Sequence, residues 1–141
     1  MTVVGPPADW RDLGRQTDAI VEACAERRLT LLDVQVEHEL SGVAPLERRG
    51  LRQALARVSS GTAGCFVVAD LNRITQGVTD LGPVLEWLSR SDTRLIAAAQ
   101  RIDTADRRSR ARVEWLIAMS CIHRELARGF PAERRQAGVA V

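Results

Sequence analysis

Five apolar residues, Cys65-Phe66-Val67-Val68-Ala69, open directly into the polar segment Asp70-Leu71-Asn72-Arg73-Ile74-Thr75-Gln76. An unbroken apolar run suits a strand covered on both faces. The carboxyl end of such a strand is where parallel sheets carry their sites. Asn72, Arg73, Thr75 and Gln76 are therefore the first candidates for chemistry, with an arginine fork suited to phosphate oxygens. Upstream, His38, Ser41 and Arg48 offer a base, a hydroxyl and a second guanidinium. A histidine and a serine can serve as base and nucleophile, although a serine before Gly42 is more simply a turn former.

These residues need elements to hold them. Thr2-Val3-Val4 reads as a first strand, ended by Gly5-Pro6-Pro7 because proline donates no ladder hydrogen bond. Asp9 then caps a helix whose inward face is Trp10, Leu13, Thr17, Ile20 and Cys24, with Arg27-Arg28 near its C-terminus, where positive charge complements the dipole. Leu29 to Val36 reads as a second strand and Glu37 to Glu47 as a loop. Leu51, Ala54, Leu55 and Val58 form a short amphipathic helix closed by Ser59-Ser60-Gly61. After the central strand, Leu81, Val84, Leu85 and Leu88 mark one face of a helix. Pro83 places that helix's start near Asp80, since proline fits the first turn. Arg94 to Ala99 reads as a fourth strand.

The last helix is expected from Ala105 to Arg128, ended by Gly129-Phe130-Pro131, with 129–141 as a tail. It carries two apolar stripes. Val113, Leu116 and Ile117 form one, and Trp115, Met119, Ile122 and Leu126 form another. A helix lying on its own domain needs one stripe. The second implies either a partner or a groove of the same domain, and Trp115 and Trp87 read equally as packing residues. Alternating strands and helices make this an α/β chain, with a mostly parallel sheet of four to five strands, helices on both faces and a long C-terminal helix.

At 141 residues the chain is the length of one domain, and 45% apolar with 27% charged residues is a globular composition. A net charge of +2 gives no strong pull toward nucleic acid. All 20 basic residues are arginine, which suits phosphate but is also what a GC-rich genome encodes. Arg107, Arg108, Arg110 and Arg112, and Arg134-Arg135, are clusters that meet either phosphate backbone or solvent. Cys24, Cys65 and Cys121 are far apart and read as small core residues in a reducing compartment. A metal site needs several ligands clustered at short spacing, which the three cysteines, His38 and His123 do not provide, so no metal site is expected. No leader and no membrane-length apolar run is present, which points to the cytoplasm and away from the membrane. Nothing indicates a cofactor.

The segment Asp70 to Gln76 resembles the Leu-Asp-Arg-Leu-Ser-Arg signature of the resolvase and invertase type serine recombinases. Further matches follow in order. Ser41-Gly42 resembles the family's Asp-x-x-Ser-Gly loop, Leu46-Glu47-Arg48-Arg49-Gly50-Leu51 its Arg-Pro-Gly-Leu with one extra residue, and Gln100 to Thr104 its turn into the last helix. The resemblance runs from Thr2 to about Arg128, and implies a three-layer resolvase-like sandwich whose long helix is a dimer interface built here on Trp115, Met119, Ile122 and Leu126.

That family cuts DNA by serine attack on a phosphodiester, with arginines around the phosphate. The family's Tyr-x-Arg-x-Ser segment has no match. Its serine position holds Trp10 counted from Gly5, or Pro7 counted back from Gln16, which resembles the family's glutamine in the first helix, and Ala8 stands for its arginine. No serine precedes Ser41. His38 stands at the acid's position beside Glu37, Arg48 and Arg73 match, Asn72 replaces an aspartate and Gln76 an arginine. Two arginines of four survive. Losing one oxyanion donor costs about 3 kcal/mol, so the loss of several such contacts points to an inactive remnant comprising His38, Ser41, Arg48, Asn72, Arg73 and Gln76.

Arg48, Arg73, Arg107 and Arg108 are the candidates for DNA phosphate. Arg73 would equally suit an ion pair, Arg48 a structural role, and Trp10 a plug in the vacated pocket. The expected protein is a dimerising or regulatory homologue in DNA recombination, a homodimer or heterodimer with an intact recombinase, without the family's helix-turn-helix domain and with at most weak, non-specific DNA binding. Two other readings stay open: strand transfer through Ser41 or Thr75, or through an intact partner, and an α/β domain that binds a phosphate ligand at 72–76.

Overall fold

The computed structural model describes residues 2–4, 10–37, 45–75 and 77–139. Five short strands form one sheet in the order β2-β1-β3-β4-β5: β1 (Thr2–Val4), β2 (Val34–Val36), β3 (Cys65–Val68), β4 (Arg94–Ala97) and β5 (Ile102–Asp103). The first four run parallel, and β5 returns antiparallel along β4. Four α-helices accompany them: α1 (Trp10–Glu26), α2 (Arg49–Ser59), α3 (Val78–Arg90) and α4 (Arg107–Val139).

Alternation along the strands separates two cores. Phe66 and Val68 of β3 with Leu95 and Ala97 of β4 face α2, α3 and Val113 of α4. Val67, Ala69 and Ile96 face Ile20, Ala23 and Cys24 of α1. Because successive strand residues point to opposite faces, an apolar run such as Cys65–Ala69 feeds both layers. Burying one large side chain of this kind, Phe66 for instance, contributes about 1.5–3 kcal/mol. The α/β three-layer reading holds.

Several boundaries move. The second strand is confined to Val34–Val36, not Leu29–Val36, because β1 offers only Thr2–Val4 as partner. Leu29 and Leu31 instead pack against the α1-side core. Arg28 turns the chain there in the left-handed region (φ 54). The fourth strand ends at Ala97, yet Ala98 and Ala99 still donate to Val68 and Ala69 carbonyls at 3.0 and 2.8 Å, so the ladder nearly fills the expected span. Residues 100–104 are more than a turn, since they contain β5. Asp9, Gly5–Pro7 and most of the 37–47 loop lie outside the described residues.

The position of Pro83 departs from expectation. α3 begins at Val78, which places Pro83 beyond the first turn. Proline lacks the N–H that would bond the carbonyl four residues back, here that of Thr79. Ser120 of α4 supplies the missing donor, its Oγ donating to the Thr79 carbonyl at 2.9 Å. The neighbouring Gly82 makes this approach possible, because a Cβ there would overlap Oγ and Cβ of Ser120. Ser120 is fully buried at this crossing.

The long helix also runs on. It continues through Gly129-Phe130-Pro131 to Val139 instead of ending near Arg128. Pro131 removes one bond, to the carbonyl of Ala127, which is exposed and can be satisfied by water.

Asp103 ties the sheet edge together. Its carboxylate receives Arg94 Nε and Nη2 at 2.8 and 2.7 Å, Arg27 Nε at 2.8 Å, and the Ala105 amide at 3.1 Å. The Arg94 hydrogen bonds, with the Ala105 amide and Arg27, hold this carboxyl well below the usual range against the opposing effect of burial. Arg27 thus closes α1 onto β5 as well as donating to the Ala23 carbonyl of the last turn.

Gly82→Ala is expected to cost about 1–3 kcal/mol by overpacking, and Ser120→Ala about 1 kcal/mol by leaving a half-buried carbonyl without its donor, both read from chemical denaturation. Asp103 gives a pH test. A depressed folded-state pKa adds stability that is complete above the unfolded value near 3.9 and is lost as pH falls below it. Asp103→Asn should lower stability at neutral pH and flatten the loss between about pH 4 and pH 2.

Candidate functional site

The strand-end loop is built from three clamps. Asp70 caps the 3-10 turn Leu71–Arg73, its Oδ1 accepting the Asn72 amide at 2.8 Å. Gln100, at the end of the neighbouring strand connection, donates Nε2 to the same Oδ1 at 2.7 Å and accepts the Leu71 amide on Oε1 at 3.2 Å. Arg112 of α4 donates to the Gln100 carbonyl at 3.0 Å. Thr75 is buried, its hydroxyl donating to the Gly77 carbonyl at 3.0 Å.

Arg73 leaves this loop toward α1, where its Nη2 meets Asp12 Oδ1 at 2.8 Å. Gln16, one turn on, donates Nε2 to the other oxygen of Asp12 at 3.0 Å. The ion pair of Arg73 is made in a half-buried setting. Gln16 is itself buried. Asn72 is exposed and lies beside Arg73.

Arg48 is buried, with 4% of its surface exposed, and its guanidinium donates to the Ile74 carbonyl. It occupies the N-cap position of α2 in extended conformation without a side-chain cap. Glu37 caps the helix instead. Its Oε2 accepts the amides of Gly50 and Leu51 at 3.0 and 3.2 Å, so a carboxylate sits at the positive end of α2. Gly50 is needed there, since a Cβ would come within 2.9 Å of that oxygen.

The structure therefore gathers Arg48, Asn72 and Arg73 at the ends of the central strands, with Glu37, Asp12, Gln16, Asp70 and Gln100 as partners. Asp12, Asp70 and Gln100 were not foreseen as partners; only the four-residue spacing of Asp12 and Gln16 hinted that they share a helix face. Arg107 and Arg108 are exposed at the start of α4. They follow β5, which runs back from Ala97 to the Thr104–Leu95 pair, so they begin at the opposite end of the strands. His38, Ser41 and Gln76 lie outside the described residues.

The cysteines divide by setting. Cys24 is buried, Cys65 partly buried and Cys121 exposed, so Cys121 is not the core residue expected; Arg124 Nη2 donates to its Sγ at 3.4 Å. Burial pushes the Cys65 thiol up to about 11, far from a reactive thiolate. Among the described residues no three His, Cys, Asp or Glu side chains cluster as a metal site, and no helix is long and apolar enough to cross a membrane.

The second stripe of α4 is open to solvent. Trp115, Ile122 and Leu126 are 61%, 48% and 52% exposed, while Val113, Leu116 and Ile117 pack on the α2/α3-side core. No groove of the same domain covers it among the described residues. Trp87, by contrast, packs against the core.

Comparison with known proteins fits this arrangement. The family model of the resolvase N-terminal domain matches residues 7–140. The chain belongs to that family. Among solved structures, this resolvase-type domain is similar to the N-terminal catalytic domain of TP901-1 integrase, with a TM-score of 0.75 at 15% identity over 89% of this chain and 97% of the other. A resolvase family site-specific recombinase from Streptococcus pneumoniae gives a TM-score of 0.74 at 16% identity over 99% and 97%. The C-terminal catalytic domain of ISC1926 TnpA, an IS607-like serine recombinase, gives 0.56 at 14% over 69% and 65%. These likenesses concern the fold. A search of curated protein sequences finds no match.

Removing the α2 cap tests the local account. Glu37→Gln keeps one acceptor oxygen and should cost about 1 kcal/mol, and Glu37→Ala about 1–3 kcal/mol by leaving two amides unmatched. Gln100→Ala should raise amide exchange of Leu71 and Asn72 while leaving β3 protected, as followed by hydrogen-exchange NMR.

Proposed function

We propose that this resolvase-type domain is a catalytically inactive member of its family that acts as a dimerising module in DNA recombination, paired with a second copy or with an intact recombinase. The stripe Trp115, Met119, Ile122 and Leu126, exposed at Trp115, Ile122 and Leu126 and half-buried at Met119, carries the reading. Large apolar groups at helical spacing on a face that the chain itself leaves open form the apolar centre that protein interfaces need. Trp115 is the natural anchor, since interface energy concentrates in such aromatics.

Inactivity is supported by the sequence and by the pocket. No serine precedes Ser41, and Trp10 or Pro7 stands where the attacking serine would be. Arg73 is engaged by Asp12 and Arg48 by the Ile74 carbonyl, so each surviving guanidinium already serves the fold. A phosphate would have to compete with these contacts. Arg107 and Arg108 remain exposed and support weak, salt-sensitive contact with DNA backbone.

Light scattering tests the assembly. The wild type is expected as a dimer, or as a monomer that dimerises with an intact recombinase, and Met119→Arg with Ile122→Asp should abolish either pairing while the circular dichroism spectrum stays unchanged. A wild-type monomer that pairs with no recombinase rejects the reading. Incubation with DNA followed by denaturing electrophoresis should show no covalent adduct; an adduct lost on Ser41→Ala would show strand transfer by a relocated hydroxyl.

A further inference from the structure

A cavity of about 170 Å³ lies on the α1 side of the sheet, at the end where β3 begins. The Cys24 carbonyl accepts the amides of Arg27 and Leu29 at 3.2 and 2.8 Å, so the chain doubles back under the last turn of α1 after the left-handed turn at Arg28. Leu29 and Leu31 form one wall and Val67 another. Cys24 and Cys65 line the same space, one from α1 and the other from β3. Cys24 is buried and Cys65 half-buried.

The two sulfurs share more than a wall. Burial holds the proton on Cys65, and a negative charge on Cys24 adds to that effect, so the thiols lie within electrostatic reach of each other. Arg94 acts in the opposite sense. It stands directly across the β3–β4 ladder from Cys65, on the same face of the sheet, and its charge favours the thiolate. A thiol buried in this way yields its proton to a ligand that binds sulfur strongly, and two thiolates side by side need a cation between them. No histidine or carboxylate stands among the described residues that line the cavity, and Thr30 is exposed.

We propose that Cys24 and Cys65 together bind a soft monovalent cation, Cu(I), as a two-coordinate bis-thiolate. Each thiol loses its proton to solvent on binding, so one ion replaces two protons and the neutral site takes a single negative charge beside Arg94. Structural zinc takes four ligands, and magnesium and calcium take at least six, mostly oxygens. Two sulfurs and an exposed hydroxyl serve none of these ions, whereas soft thiolates select Cu(I). A two-coordinate ion also needs no third ligand, so the lack of three-residue clusters among the described residues does not count against it. The volume falls below the roughly 300–1,000 Å³ of sites for drug-sized organic ligands. The inference does not depend on whether the domain dimerises or cuts DNA.

Anaerobic titration of the reduced full chain with Cu(I), in competition with a Cu(I) chelator, tests it. Cys121→Ser serves as the background, because it removes the exposed third thiol. That protein should retain one ion per chain, release two protons per ion, and show two sulfur neighbours by X-ray absorption at the copper edge. Adding Cys24→Ser or Cys65→Ser should each weaken binding at least about a hundredfold, two decades at about 1.4 kcal/mol each. Zn(II) at the same concentration should not be retained. X-ray absorption reads the ligand set without any substitution in the core, so the test stays decisive even where a Cys24 or Cys65 variant fails to fold. Loss of the ion to the chelator, a single sulfur neighbour, equal retention of Zn(II), or undiminished binding after Cys24→Ser would each overturn the inference.

Discussion

The placement of the long helix rests on one close crossing. Gly82 lets α4 come against α3 without a Cβ between them, and Pro83 frees the Thr79 carbonyl that Ser120 then takes. A small residue, a missing N–H and a hydroxyl on the opposite helix are needed at one point in space. With that crossing fixed, Val113, Leu116 and Ile117 reach the core, and the rotation of α4 about its axis is set. The same rotation turns Trp115, Ile122 and Leu126 outward. The exposed stripe is thus a consequence of how α3 and α4 meet.

A second set of contacts connects the sheet edge to the strand-end loop. Asp103 gathers Arg27, Arg94 and the Ala105 amide, fixing where β5 ends and α4 begins. From α4, Arg112 reaches the Gln100 carbonyl, and Gln100 holds Asp70 and Leu71. The helix that carries the apolar stripe and the loop that carries Arg73 are joined through these few polar groups. Charged and amide groups in such half-buried positions are stabilising only while each is matched, which explains why so many arginines here are tied to carboxylates or carbonyls.

The polar groups at the strand ends are built into the fold. Arg73 bonds Asp12, and Arg48 bonds a backbone carbonyl. Glu37 lies at the N-terminus of α2, where a carboxylate meets two amides and the helix dipole. Each group has a structural use that does not require a substrate, and this is the physical content of the proposal that the domain works by assembly.

The layers are legible in the chain because alternation and helical spacing are local properties: the apolar run at Cys65–Ala69, the face Leu81, Val84, Leu85 and Leu88, and the two stripes of α4 all appear as read. The sequence also carried the family, through short motifs from Asp70 to Gln76 and around Arg48. Tertiary structure alone decided the rest. The second strand shortened because β1 has only three residues to pair with it. Pro83 moved inside its helix because Ser120, 37 positions away in the chain, supplied the lost donor. Arg73 chose Asp12, and Glu37 chose the amides of α2, through contacts between elements distant in sequence. Periodicity reports which face of an element is apolar; which charge meets which partner depends on the packing of those faces, and that is fixed only once the chain has folded.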